Sequence, residues 1–172
     1  MRFLVVIFLL LAVAIIIDSC RKKDALPEVA VVIPQTTPEF SDTTLFDLIA
    51  DTLGRKFYKN NTDVFLPAGG SPHGNFRFWF NPKAQTALDT SGKLPISGVF
   101  PDSSLLMKEV RVSLSDPVTV FAVMYKLKGN WKWAEYGPSG NVLYSIKADP
   151  NACVSCHSNL PNRDLVRSFD LH

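Results

Sequence analysis

The chain has 172 residues, of which 47% are hydrophobic, and its formal net charge at pH 7 is +2. A balance this close to neutral lacks the strong positive charge of nucleic-acid-binding proteins, so we predict no nucleic-acid partner. Only three cysteines are present. The motifs described below account for all three, and no disulfide framework is therefore predicted.

The N-terminal residues resemble an export signal. The apolar run 3–17 is shorter than the about 20 residues that a membrane-spanning helix needs. It ends at Asp18-Ser19-Cys20, which resembles the lipobox of bacterial lipoproteins, although the aspartate departs from that pattern. We predict a lipoprotein signal peptide over residues 1–19 and a lipid on Cys20, which anchors the exported chain in a membrane facing the periplasm. The outer membrane is favoured over the inner one, and the alternative is an uncleaved anchor with an incidental cysteine.

Residues 20–42 follow as a flexible tether. This segment contains Pro27, Pro34 and Pro38 and shows little hydrophobic periodicity. The remaining residues, 43–172, have the size of one domain with a single core.

Within this domain the pattern predicts short helices and a larger number of strands. A helix is predicted from Thr43 to Leu53, with Ser41 or Asp42 as its cap and an apolar stripe at Leu45, Leu48, Ile49 and Leu53. Residues 57–75 are rich in Gly, Pro and Asn and predict a loop. A second short helix is predicted from Lys83 to Leu88, after the pair Asn81-Pro82. The predicted strands are Phe76–Phe80, Leu105–Leu114, Val118–Leu127, Trp131–Tyr136 and Asn141–Ile146. Turn residues between neighbours favour antiparallel pairing, so the predicted fold class is α+β and β-dominated.

Lys108 stands out in the second of the predicted strands, Leu105–Leu114. Side chains alternate across a sheet, which places Lys108 on the same inner face as Leu106, Val110 and Val112, whereas Glu109 and Arg111 fall on a more polar face. A buried ammonium is costly unless it is paired, deprotonated or chemically used. The alternative is an edge position, where the aliphatic stem covers apolar surface and the charge reaches water.

The C-terminal part contains Cys153-Val154-Ser155-Cys156-His157. C-x-x-C-H is the attachment motif of haem c, in which both thiols bond to the porphyrin and the histidine ligates the iron. We predict a helical turn here with Asn151 as its N-cap, Cys153 and Cys156 as haem-binding residues and His157 as the iron ligand. The alternatives are a redox C-x-x-C pair or half of a zinc site. The first usually lies near a βαβ unit, and the second needs another pair of ligands.

Taken in order, several short segments resemble the cytochrome P-460 family of c-type haem proteins. They span about Asn75 to Ser168, most of the predicted domain. The landmarks are Asn75–Pro82, Phe100-Pro101-Asp102, Met107–Val110, Val123–Lys126, Gly129-Asn130-Trp131 and Ala152–His157, with Asp164-Leu165-Val166 downstream.

This resemblance implies a β-rich domain that holds haem c. It also implies that Lys108 faces the haem, with a covalent bond to the porphyrin in the family's name-giving members, and that Arg77 lies in the distal pocket. A surface guanidinium is the alternative for Arg77. The glutamate of hydroxylamine-oxidising members falls near Ala122 here, so that carboxylate is missing, and Glu109 and Glu135 are possible substitutes.

The resemblance leaves two functional classes open. A related branch, the cytochromes c-prime-beta, binds nitric oxide under a cap of phenylalanines, and this chain has candidates for such a cap: Phe76, Phe78, Phe80, Phe100 and Phe121.

An open sixth position on the iron allows binding or oxidation of hydroxylamine or nitric oxide, whereas a closed one makes an electron carrier. The candidates for closing it are Met107, Met124, His73 and His172, and no spacing singles one out. We expect five-coordinate iron, with an electron-transfer or gas-binding cytochrome without catalysis as the alternative. The redox partner stays open, and a homodimer is possible because family members often form one.

Overall fold

A sheet of six antiparallel strands is the centre of the fold. The computed structural model describes residues 39–51, 53–58, 65–66, 72–159 and 162–167, which belong to one compact unit, Pro38–His172. The strands follow one another across the sheet in chain order, which confirms the β-dominated α+β class and the antiparallel pairing of neighbours. Their bounds are β1 Lys56–Phe57, β2 Phe76–Phe80, β3 Leu105–Val110, β4 Val120–Leu127, β5 Asn130–Tyr136 and β6 Val142–Tyr144.

Three helices accompany the sheet: α1 Asp42–Ala50, α2 Pro82–Gln85 and α3 Asn151–His157. Ser41 caps α1, because its hydroxyl accepts a hydrogen bond from the Thr44 amide at 3.2 Å. The helix ends three residues before the predicted Leu53, because Asp51 is extended and the chain then turns through Gly54 at a φ of +67°. Leu53 is consequently 86% exposed and does not join the apolar stripe.

The folded unit begins before the predicted boundary at Thr43. The ring of Phe40 stacks on Tyr125 with 4.7 Å between ring centroids. Ring stacking of this kind orders the chain ahead of α1. The last residues assigned to the tether therefore belong to the domain.

Both faces of the sheet are buried in the middle. Helix α1 packs its buried residues Leu45 and Ile49 on one face, which we call the α1 face. The opposite face packs against α3 and residues 162–167, and we call it the α3 face. All six residues of β3 are buried. The carboxylate of Glu109, on the more polar side of the strand, also lies inside the protein and is 3% exposed.

Strand β3 is also shorter than predicted. It ends at Val110, and the residues that follow form a turn in which the Ser113 amide donates to the Asp116 carboxylate at 2.8 Å. Val112, predicted to share the inner face, is 76% exposed. The hairpin closes where the Thr119 amide donates to the Val110 carbonyl at 2.9 Å.

Candidate haem site

A mostly apolar cavity of about 240 Å³ lies between the α3 face of the sheet and α3, and it opens to solvent on one side. Two rows of side chains from neighbouring strands form its floor. The strand registers place these residues side by side, one row being Phe78, Lys108, Ala122, Glu135 and Tyr144, and the other Leu106, Met124 and Trp133. Cys153, Cys156 and His157 line the cavity from the helix side. Two wider depressions on the described surface, of about 740 and 460 Å³, are lined by none of the predicted haem-binding or catalytic residues.

Helix α3 starts one residue earlier than predicted, and Asn151 is not its N-cap. Asn151 is the first helical residue, Pro150 holds the N-cap position, and no side chain caps the helix there. Instead, the Asp149 carboxylate accepts from the Asn151 amide at 3.1 Å. The Tyr144 hydroxyl donates to the Asp149 carbonyl, which ties the start of α3 to strand β6.

His157 is buried at the end of α3, and the carbonyl of Leu165 fixes its protonation. The distance from His157 Nδ1 to the Leu165 oxygen is 2.7 Å. A carbonyl only accepts, so Nδ1 carries the proton and Nε2 keeps its lone pair. Burial lowers the pKa of His157 to about 4, although the hydrogen bond to Leu165 acts in the opposite direction. The ring is therefore neutral at pH 7, which is the form that binds a metal.

Lys108 faces the same cavity. It lies on an interior strand between β2 and β4, so the alternative of an edge position is wrong. Its side chain is 8% exposed, and Nζ lies 4.6 Å from the centroid of the Phe76 ring. Burial, and next the nearby charge of Arg167, lower the pKa of Lys108 to about 8. The cavity thus contains an amine that deprotonates far more easily than an exposed lysine does.

An acid–base pair stands at the rim of the cavity. His73 Nδ1 and Glu135 Oε1 are 2.9 Å apart, and both residues line the cavity. The hydrogen bond from His73 lowers the pKa of the Glu135 carboxyl, although partial burial raises it. His73 lies in a loop, but its side chain is only 21% exposed because it packs at this rim. The alternation of Glu135 with Trp133 along β5 was the sequence signal that placed it on this face.

Glu135 is also the carboxylate nearest to the expected position. Ala122 pairs with Lys108 on one side and with Glu135 on the other. Among the described acids, Glu135 thus stands directly across the strand from the residue where the resemblance would place a glutamate.

Arg77 and Glu109 lie on the other side of the sheet. They form a cross-strand pair, with Arg77 Nε 2.8 Å from Glu109 Oε2, and neither lines the cavity. Arg55 and Arg111 also donate to this carboxylate, at 3.2 and 3.1 Å. The alternation of side chains along β2 and β3 therefore turns Arg77 away from the face that Lys108 occupies, and Glu109 is a structural counter-ion for three arginines.

The structure places the remaining described candidates for the sixth iron ligand and for the phenylalanine cap in different parts of the domain. Met124 and Met107 both line the cavity, although Met107 also packs in the core of the α1 face. His172 lies outside the described residues. Of the five phenylalanines, Phe78 lines the cavity, Phe76 contacts Lys108, and Phe121 packs on the α1 face. Phe80 and Phe100 belong to the core beneath the cavity.

The side chains present fit haem c. Cys153 and Cys156 are free, half-buried thiols, and with His157 they face an apolar space that contains the basic amine of Lys108. Within the described ranges no group of three or more His, Cys, Asp or Glu residues is arranged to hold a metal ion. Haem needs no such group, because the porphyrin supplies four ligands and the protein adds only axial ones.

Comparison of the chain with family models, curated proteins and solved structures found no match in any of the three. The resemblance to the cytochrome P-460 family therefore stays a prediction that depends on the landmarks. Cys20 and the predicted signal peptide lie outside the described residues. Among the helices that are described, none is long and apolar enough to cross a membrane.

Proposed function

We propose that this chain is an exported c-type haem protein of the cytochrome P-460 type, which binds or oxidises a small nitrogen compound such as hydroxylamine or nitric oxide. The observation that carries the proposal is the convergence of Lys108 with Cys153, Cys156 and His157 on one apolar cavity. These residues are up to 49 positions apart in the sequence, and nothing in the haem motif requires a lysine opposite it.

Each residue has a definite part in the proposal. Cys153 and Cys156 would hold the porphyrin as thioethers, and His157 would supply a nitrogen to the iron, which the hydrogen bond to the Leu165 carbonyl would keep basic. When bound, haem iron would supply the redox and ligand-binding chemistry. Lys108 lines the same cavity and would present its amine to the bound haem, where its lowered pKa would favour the neutral form.

Glu135 and His73 are the proposed route for protons. A carboxylate and an imidazole 2.9 Å apart at the rim of the cavity can take a proton from a bound hydroxylamine and release it to solvent. Arg77, which lies on the other face of the sheet, has no part in this step.

The proposed location follows from the predicted lipoprotein signal. A lipid on Cys20 tethers the domain to the periplasmic side of a membrane, preferably the outer one, where haem attachment takes place outside the cytoplasm. Electrons from the substrate then leave to a periplasmic redox partner.

Purification of the exported protein tests haem attachment. We expect covalently bound haem in the wild type and none in Cys153→Ser/Cys156→Ser, measured by mass spectrometry of the denatured chain and by the pyridine haemochrome spectrum. An exported wild-type protein without covalent haem would contradict the proposal.

The ferrous spectrum tests Lys108. A cross-linked haem has a Soret band far to the red of an ordinary cytochrome c, and we expect Lys108→Leu to restore the ordinary band. Lys83→Leu, the same change at an exposed lysine of α2, is the matched control. An ordinary spectrum in the wild type rules out the cross-link.

Turnover separates the enzyme from a binding module. We expect oxidation of hydroxylamine with an artificial electron acceptor, and a loss of rate in Glu135→Gln. Binding of nitric oxide without any turnover would instead favour a gas-binding or electron-transfer protein.

A further inference from the structure

The turn that contacts His157 has an unusual backbone. Asp164 and Leu165 both have positive φ angles, of 46° and 58°, and the Val166 amide donates to the Arg163 carbonyl at 2.8 Å. These are the features of a type I′ turn, which normally selects Gly, Asn or Asp at its two central positions. A leucine in the left-handed region is strained, and such strain persists only where the surroundings impose it.

Three hydrogen bonds from the rest of the domain hold the turn in this conformation, and Asp164 accepts all three. Its carboxylate accepts from Lys126 Nζ at 2.7 Å and from the Phe100 amide at 2.8 Å. Its carbonyl accepts from Trp131 Nε1 at 2.7 Å. The Lys126–Asp164 pair is deeply buried, with side-chain exposures of 6% and 8%. This residue is therefore fixed from β4, β5 and the loop before β3 at once.

The next carbonyl along the chain is the one that meets His157. Because Asp164 is held in place, it sets the direction of the Leu165 carbonyl. The oxygen of this carbonyl lies 2.7 Å from Nδ1 of His157. The ring also meets Trp133 edge to face, with 4.6 Å between centroids. The imidazole is thus held by one hydrogen bond and one aromatic contact, and Asp164 controls the first.

We propose that Asp164, held by Lys126, is a positioning residue for His157: it aims the Leu165 carbonyl so that His157 keeps its proton on Nδ1 and its lone pair on Nε2. This inference rests on the proposed haem function for its purpose, but the hydrogen-bond relay can be measured without haem. Partners of this kind fix the orientation of a ligand and make it a stronger donor, and their loss changes metal sites by about 10- to 100-fold.

The test variant is Asp164→Asn, in which the amide cannot accept from both Lys126 and Phe100. In the haem-free chain we expect the ratio of the Nδ1–H to the Nε2–H form of His157, measured by ¹⁵N NMR, to fall by about two- to tenfold, the effect of losing one hydrogen bond. In the haem-bound protein we expect the ferrous iron–histidine stretching band to move to lower frequency and the midpoint potential to rise. Lys126→Arg keeps the charge and is expected to stay close to the wild type.

Asp42→Asn is the matched control. Asp42 also accepts three hydrogen bonds, from the Tyr136 hydroxyl at 3.2 Å, the Ser145 hydroxyl at 2.6 Å and the Ile146 amide at 2.9 Å, but it lies on the α1 face. We expect it to lower stability without moving the tautomer ratio or the iron–histidine band. If Asp164→Asn behaves in the same way, Asp164 is only structural and the inference is overturned.

Three further outcomes are decisive. If Asp164→Asn does not fold, Lys126→Gln is measured with the same two readouts and decides in its place. If the wild type carries no haem but the tautomer ratio responds, the relay stands and the haem function fails. If haem is attached and neither readout responds, the haem function stands and the relay is refuted.

Discussion

Replacing Lys108 by methionine tests the energetic cost of the buried amine. The chain of methionine is similar in length and apolar, so the variant removes the charge from the cavity while leaving most of the packing. An ordinary lysine has a pKa of 10.5, and burial lowers that of Lys108 to about 8. One pKa unit corresponds to about 1.4 kcal/mol, so the charged form destabilises the haem-free fold by about 3 kcal/mol.

The sign follows from proton linkage. Between pH 8 and 10.5 the unfolded chain keeps a proton that folded Lys108 has lost, so the free energy of unfolding rises with pH across this window. Below pH 8 both states are charged and the penalty is complete. We therefore expect Lys108→Met to be about 3 kcal/mol more stable than the wild type at pH 7, and this advantage to vanish near pH 10.5.

Urea unfolding of both haem-free proteins at pH 7 and at pH 10.5 measures this difference. Taking the difference between variant and wild type cancels other groups that titrate in the same range, such as Tyr136, whose pKa is raised by burial and by Asp42. Lys83→Met makes the same replacement at an exposed lysine, where no such advantage is expected. An advantage of Lys108→Met that is equal at both pH values would refute the reasoning.

Three further predictions concern other parts of the domain. Glu109→Gln leaves three partly buried guanidinium groups without the Glu109 carboxylate, so unfolding in urea should show a loss of about 3–5 kcal/mol, and a loss below about 1 kcal/mol would contradict this. Leu45→Ala should lower stability by about 2–5 kcal/mol because Leu45 is fully buried under α1, whereas Leu48→Ala on the same helix should cost far less because Leu48 is 39% exposed. A ¹³C NMR titration should place the Glu135 carboxyl below the usual glutamate pKa, and His73→Gln should bring it back up. Because that pKa is depressed in the fold, the stabilisation from this pair is present above the unfolded pKa and is lost as the pH falls. An unchanged titration curve in His73→Gln would contradict the pairing.

Local sequence patterns were sufficient for most of the secondary structure. Alternating phenylalanines marked β2, and turn residues between Leu127 and Trp131 marked the β4–β5 hairpin, both of which the structure contains. These features depend on neighbours in the chain and therefore leave a local signal. The boundaries were less certain, as at Leu114, because the end of a strand depends on the partner that it pairs with.

The sequence by itself determined the C-x-x-C-H motif, the antiparallel sheet and the face on which Lys108 lies. Motif spacing and the alternation of side chains are properties of a short stretch of chain, so no tertiary contact was needed to read them. Only the tertiary structure decided which residues surround Lys108. His157 lines the same cavity, Arg77 lies on the other face of the sheet, and Glu135 pairs with His73. It also supplied the buried Lys126–Asp164 pair behind the turn that contacts His157. The physical reason is strand register and long-range packing, which set these distances between residues far apart in the chain.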